Sequence, residues 1–464
     1  MSRPPIAAPR GVLLTLTLGL VLGPAAPAMS AQVSLRDALA AARAGAYPAR
    51  IARGALDAAR AQAAAPLAGM LPNASLELGA MRTTDPIGAF GTRLRQREVT
   101  PSAFDPAALN FPAAVSNYAV GLVVQAPVLN ADAWAGRAAA SAGAAAAQAA
   151  SDWAGSEAEV EVIKAWYGAV LADELVATLR TARAAAAAHV GQATALRNAG
   201  MATKSDLLLA ELRVGDLDAR LAQAEADADN ARRGLALRAG TRRTDFDLPP
   251  ALPSAAAVRP WLALPERAAT RGDVAAASAA MRAARLDVTR ATAAVLPRLN
   301  SFARWDWNSA LRPWAGRENW TAGVMLTVPI FNVGSQFADR SVAGGRWRQA
   351  EAAREAADAR ADFERRHAAG AASVALRRLD IAEKAVGQAD EAHRLVSRRY
   401  EGGLATIAEL LTAHAARTEA ALGLASARHQ AIAVAAELRR AHGLSATDLA
   451  TLDDMRQTPS VATP

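Results

Sequence analysis

The chain has 464 residues, a formal charge of +8 and no cysteine, which excludes disulfides, thiolate metal sites, cysteine nucleophiles and a cysteine-borne lipid anchor. Its 52 lysines and arginines are interleaved with 44 acids, so the clustered basic patch of a nucleic-acid binder is missing. Hydrophobic residues make up 52 %, but much of that is alanine, which favours helix and close helix approach without filling a conventional core.

Arg3 and Arg10 precede the apolar run from Val12 to Leu22, and the small residues Ala25, Ala26, Ala28, Ser30 and Ala31 follow it. This predicts a secretory signal over residues 1–31, cut between Ala28 and Ala31 and too short to span a bilayer as a mature helix. No other segment runs eighteen apolar residues without a charge.

A first repeat is predicted over 32–240. From Ser34 to Met70 the pattern is helical, with Leu35, Leu39, Ile51 and Leu56 among alanines and a break near Tyr47 and Pro48; Leu71-Pro72 ends it. Asn73 to Met81 then alternates Ala74, Leu76, Leu78 and Ala80 against Asn73, Ser75, Glu77 and Gly79, which reads as a strand. Residues 82–116 are rich in Pro, Gly, Thr, Arg and Asp and read as a long exposed loop. The next strand, Asn117 to Asn130, sets Tyr118, Val120, Leu122 and Val124 on one side and Ala119, Gly121, Val123 and Gln125 on the other. An apolar face backed by a small or polar one suits a barrel wall between lipid and a wet lumen.

The same phrase returns at Asn319 to Asn332, with Gly121 matched by Gly323 and Pro127 by Pro329, 202 residues on. Pro127 and Pro329 are the expected strand-to-helix junctions. After Pro127 there is no proline until Pro249, and after Pro329 none until Pro459, so each junction leads into a long uninterrupted helical region. Gly200 and Gly403 sit where a left-handed residue ends a helix. Thr203 with Asp206 and Thr406 with Glu409 then have capping-box spacing and start a returning helix. That helix keeps 3-4 spacing through Val214, Leu217, Leu221, Ala224, Ala228, Ala231 and Leu235, repeated near Ala420, Leu424, Ala427, Ala431, Val434 and Leu438. Sustained 3-4 spacing predicts coiled-coil packing.

Residues 241–260, with Pro249, Pro250, Pro253 and Pro260, form a connecting segment, and 261–443 replays the first repeat. A helix is expected from Trp261 to Leu296, a strand around Leu299 to Trp307, the Trp320 strand, and a second hairpin closed by Gly443; 444–464 is a C-terminal tail. Tyr118, Trp305, Trp307, Trp314, Trp320 and Phe331 crowd the strands as interfacial girdles require. Four strands cannot close a membrane barrel, so other copies of the chain must complete it, with eight strands from two or twelve from three.

The tips Gly200-Met-Ala-Thr-Lys-Ser-Asp-Leu-Leu and Gly403-Leu-Ala-Thr-Ile-Ala-Glu-Leu-Leu, with the duplicated strand, proline and hairpin, resemble the outer-membrane efflux protein family typified by TolC. The resemblance implies a mainly α fold with a membrane β part: a homotrimer in which each chain gives four strands to a twelve-stranded barrel continuous with a helical coiled-coil barrel in the periplasm. It implies an outer-membrane, passive gated conduit of a tripartite efflux or type I secretion system, docked to a periplasmic adaptor and an inner-membrane transporter, without cofactors or bond chemistry. Positions matching the family's periplasmic gate are Asp206 and Glu409, and those matching its adaptor-docking tips are Gly200, Met201, Leu207, Gly403, Leu404 and Leu410. The chain departs from the pattern at Thr412, where a second acid is usual, and at Ala405, where a gate-holding arginine is found. Capping alone also accounts for a carboxylate at 206 or 409.

The six histidines, His189, His367, His393, His414, His429 and His442, include no pair at three or four spacing and read as solvated helix residues; no nucleophile elbow or phosphate loop is present. The rival reading is a periplasmic coiled-coil adaptor, which carries one hairpin between soluble β domains, whereas here each of two hairpins follows amphipathic strands.

Overall fold

The computed structural model describes residues 33–265, 269–313, 315–330, 333–445 and 449, without the side chains of residues 68 and 333. The predicted signal, Trp314, Phe331 and nearly all of the tail lie outside the described residues. The first unit runs α1 (Leu35–Gly45), α2 (Tyr47–Ala68), β1 (Asn73–Thr83), α3 (Pro86–Gln96), α4 (Pro106–Asn110), β2 (Val115–Leu129), α5 (Ala131–Asn198) and α6 (Lys204–Arg238). After α7 (Ala255–Val258) come α8 (Gly272–Ala293), β3 (Arg298–Ser309), β4 (Arg317–Thr327), α9 (Val333–Glu401) and α10 (Ile407–Ala441).

The long helices have 68 residues in α5 and 69 in α9. At about 1.5 Å per residue each extends roughly 100 Å. A rod of that length cannot bury itself, and α5 packs along its course against α2, α6, α8 and α10, while α9 packs against α8 and α10. Each returning helix also meets a short helix end to end. The backbone of Gly240, just past α6, abuts Gly45 and Ala46 between α1 and α2, and that of Gly443, past α10, abuts Ala269 and Arg271 before α8. His442 accepts a hydrogen bond from the Ala269 amide at 2.9 Å. Two broken rods therefore lie beside two continuous ones.

The main core sits at this level. Leu39, Ile163, Tyr167, Leu235, Leu379, Ile432 and Leu438 are fully buried there. The connecting segment folds into it: Phe246 meets Trp166 edge-on at 5.9 Å, Trp261 tilts against Tyr167 at 6.2 Å, and Val33 bridges to Phe246. Arg428 pairs with Glu174 and donates to the Leu252 carbonyl at 3.1 Å, fastening the segment to α5 and α10 together.

Two expectations are corrected. Residues 82–116 are not an irregular loop, since α3, a 3₁₀ turn at Pro101–Phe104 and α4 lie within them. Asp85-Pro86 and Asp105-Pro106 start the two helices, Asp85 accepting from the Gly88 amide and Asp105 from the Ala107 amide, and each proline filling a first position that needs no donor. The helix expected from Trp261 begins instead at Gly272. Trp261 closes a 3₁₀ turn and is buried in the core, and Pro265 disfavours a helical residue before it.

The strands form one antiparallel sheet in the order β1-β2-β3-β4, so β1 and β4 are both edges. Leu76 pairs with Leu122, Leu122 with Trp305, and Trp305 with Trp320, which fixes which residues share a face.

Candidate functional site

One face of the sheet carries Leu76, Leu78, Tyr118, Val120, Leu122, Val124, Trp305, Trp307, Trp320, Val324 and Leu326. Trp320 and Val324 are 70 % and 71 % exposed in the single chain, an apolar surface that water would not tolerate. Tyr118, Trp305, Trp307 and Trp320 fall within a few register steps toward the end of the sheet far from α5 and α9. Strands of 11 to 15 residues are long enough to cross a hydrocarbon layer at a tilt. Among the described residues no helix is long and apolar enough to cross a membrane.

The other face is polar. Arg304 reaches Glu77 at 2.9 Å and Asp306 at 2.8 Å, tying β1 to β3 across β2. This network lies over Gly121, where a Cβ would come within 2.9 Å of Asp306 Oδ1, and Phe302 lies over Gly323, where a Cβ would come within 3.0 Å of its ring. The repeated glycines thus admit side chains that cross the polar face. α3 folds over the outer end of that face: the Gln96 amide donates to Asn117 Oδ1 at 2.9 Å, and the Asn117 amide donates to Asn308 Oδ1 at 2.8 Å.

At the helix end of the sheet, Pro127 lies inside β2, where the register against β3 shifts before Leu129, and α5 starts two residues later. Pro329 lies in the extended link between β4 and α9. Arg298 pairs with Asp132, and Asn130 donates to Asn300 at 3.2 Å, bracing this junction.

At the opposite end, some 100 Å away along the helices, both hairpin turns have the same construction. Gly200 and Gly403 have φ of 74° and 71° with open space where a Cβ would stand. Met201 and Leu404 beside them are 71 % and 73 % exposed. Thr203 and Thr406 cap α6 and α10 in complete capping boxes: the Thr406 amide donates to Glu409 Oε2 at 2.6 Å and the Glu409 amide to Thr406 Oγ1 at 3.2 Å. These bonds hold the Asp206 and Glu409 carboxyls below the usual carboxylate range, chiefly through the backbone N–H of the capping threonine. Both carboxylates remain charged, Glu409 exposed and Asp206 half-buried. Leu207 and Leu410, matched to the docking tips by the resemblance, are buried in the first turn of their helices, Leu207 in the seam with Ala193, Ala210, Ile407 and Leu411. The exposed set is Gly200, Met201, Gly403 and Leu404.

The histidines depart furthest from expectation. His414 on α10 is 5 % exposed, and its ring lies 5.8 Å from that of His189 on α5 and 5.7 Å from that of His393 on α9. Burial, then the facing histidines and Arg213 and Arg417, lower the His414 pKa to about 4. A search for pairs within one helix misses this layer, since its members come from three helices. The signal lies in the hairpin itself: His393 stands ten residues before Gly403 and His414 eleven after it, so an antiparallel turn brings them level.

Residues 264–444 match the profile of the family described as Outer membrane efflux protein. In fold the chain resembles a membrane protein from Pseudomonas aeruginosa, with a TM-score of 0.73 at 23 % identity over 89 % of this chain and 90 % of that one. It resembles the outer membrane protein VceC of Vibrio cholerae (TM-score 0.72, 19 % identity, 89 % and 96 % covered) and the MtrE outer membrane channel of Neisseria gonorrhoeae (0.71, 22 %, 89 % of each). No curated protein sequence matches the chain significantly.

Proposed function

We propose that this chain is a member of the outer membrane efflux protein family, whose profile its residues 264–444 match, and is the outer-membrane channel of a tripartite export system, a passive conduit from periplasm to exterior. The observation that carries the reading is the sheet. Its apolar face calls for lipid, and its edges β1 and β4 leave rows of backbone donors and acceptors that lipid cannot satisfy. Pairing β4 of one copy with β1 of the next removes both edges, and an even number of strands per chain keeps every pairing antiparallel. Such a head-to-tail contact closes into a ring.

Three copies suit the polar face best. An eight-stranded barrel from two copies is just filled by inward side chains. Here that face carries Arg304 and Phe302 and has α3 folded over its end as well. A homotrimer with twelve strands leaves room for these and a passage. The helices repeat the logic: Phe363, Val374, Ile381 and Leu395 on α9 are exposed in the single chain with spacings near multiples of 3.6, a seam awaiting a neighbour. Ile51 on α2 and Leu212 and Leu237 on α6 offer exposed apolar partners at the chain's other edge.

In the trimer the hairpins extend into the periplasm, and their tips form the entrance. Gly200, Met201, Gly403 and Leu404 supply an exposed, small-plus-apolar surface for a periplasmic adaptor, which links the channel to an inner-membrane transporter. Asp206 and Glu409 ring the entrance with negative charge, favouring cations.

Planar-bilayer recording of detergent-purified protein tests this. Discrete conductance steps with a cation preference are expected. Glu409→Gln, which keeps an acceptor for the Thr406 amide, is expected to lower that preference while circular dichroism stays unchanged. Absence of steps contradicts the channel, and an unaltered preference reduces Glu409 to its capping role.

A further inference from the structure

The layer formed by His189, His393 and His414 lies between two apolar clusters of the hairpins. Toward the tips are Ala193, Leu207, Ala210, Ile407 and Leu411; toward the core are Leu179, Ala182, Ala186 and Leu217. A coiled-coil interior at this level would ordinarily be apolar. Instead it holds three imidazoles from α5, α9 and α10, and α6 adds Arg213. His414 Nδ1, His393 Nε2, and Arg213 Nε and Nη2 are all buried without a hydrogen-bond partner. Among the described residues no group of His, Asp and Glu is arranged as a metal-ligand set.

The charges facing the layer come from each helix packed on it. α6 gives Arg213, which is bonded at 2.7 Å to Asp216. α10 gives Arg417 and α9 gives Asp390, which pair with each other at 2.6 Å. On α5, Gln192 bonds His189, and Glu174, farther along, lines a cavity of about 420 Å³ shared with His414 and Arg417 and is itself held by Arg428. Asp216, Asp390 and Glu174 are therefore all bonded to arginines, and the surroundings favour neutral rings.

We propose that this layer is a proton-operated latch between the two hairpins: protonating the histidines places like charges beside Arg213 and Arg417 and separates α10 from α5 and α6 just above the tips. Desolvation lowers the pKa of all three histidines, which sets the sign. Because the apposed state binds fewer protons than the separated one, its stability rises with pH. For His414 the stabilisation is complete above the ordinary value of 6.5 and is lost as pH falls toward about 4. In a ring of hairpins, separation within each chain enlarges the circumference at the periplasmic end. That last step rests on the channel reading; the separation itself does not.

The test is a distance between hairpins. The chain has no cysteine, so Arg197→Cys on α5 and Thr412→Cys on α10, both at exposed positions, give two specific spin-label sites in the full-length protein in detergent. Titrated from about pH 7.5 to about pH 4, the shortest label separation is expected to grow by about 1–2 Å or more per helix, with a midpoint below the ordinary histidine value. The same titration is made on His414→Phe and on the double variant His189→Gln with His393→Gln, whose half-buried positions tolerate an amide. His414→Phe should be flat, and the double variant, which keeps His414 buried beside Arg213 and Arg417, should respond less than the wild type. A wild-type distance that does not change, or a change of equal size in the double variant, overturns the latch. Bilayer conductance recorded in parallel separates the two readings: a pH-dependent distance without conductance leaves the latch and removes the channel, whereas conductance with a flat distance does the reverse.

Discussion

Val324→Arg is expected to destabilise the assembled barrel by roughly 2–4 kcal/mol per copy, and Met325→Arg, one residue along the same strand, by little. Both side chains are exposed in the single chain, and both lie in β4. They differ only in face. Val324 pairs with Ser301 beside the apolar row of Leu122, Trp305 and Trp320, whereas Met325 pairs with Asn300 on the polar side with Arg304 and Glu77. If the apolar row meets lipid, a guanidinium at 324 loses its hydration in hydrocarbon and must distort the bilayer to recover it. At 325 it stays in a wet lumen. Three copies multiply the difference, so unfolding of the two variants from lipid vesicles by denaturant should separate them widely. Equal stability of the two, or greater loss at 325, would mean that the faces are assigned the wrong way round or that neither meets lipid.

Gly240→Ala should have the second largest effect, and Gly200→Ala supplies its control. Both glycines follow a long helix and have positive φ, 69° and 74°, so a Cβ costs each about 1–2 kcal/mol in backbone conformation. At Gly200 nothing else stands in the way. At Gly240 the added carbon would lie 2.4 Å from the carbonyl oxygen of Gly45 and 2.8 Å from the amide nitrogen of Ala46, which are backbone atoms unable to swing aside. Relieving that overlap means parting α6 from the α1–α2 break and loosening Leu235 and Leu39 in the core, so the total is expected to exceed about 3 kcal/mol. Thermal unfolding followed by circular dichroism at the helix band should show the large loss for Gly240→Ala alone. Similar losses for both variants would mean that the end-to-end contact contributes nothing.

These contrasts mark what the sequence discloses and what it conceals. Alternation at 117–125 and 319–327 survives translation into structure because the paired strands carry an apolar row on one face and a mostly polar or small row on the other, and period two records that directly. The tips are equally readable: Thr203 with Asp206 and Thr406 with Glu409 are local devices, complete within four residues. The helices at 86–110 are harder, since short helices leave no periodic stripe and announce themselves only through Asp-Pro starts. Leu207 and Leu410 fall next to readable tips, yet their burial depends on a partner helix that spacing does not name. The histidine layer is most hidden, because three residues far apart in sequence become neighbours only through the hairpin fold and through contact between the two repeats. Gly240 reads as a helix end; that it is also a contact point follows only once α6 and α2 are stacked.

On the proposed function this four-stranded sheet is one third of a shared wall. Light scattering with detergent subtraction, made on protein extracted from outer membranes, measures it most directly. Three chains per particle are predicted, with the heat-resistant association typical of closed barrels; a monodisperse particle holding one chain, with β1 and β4 unpaired, would contradict it.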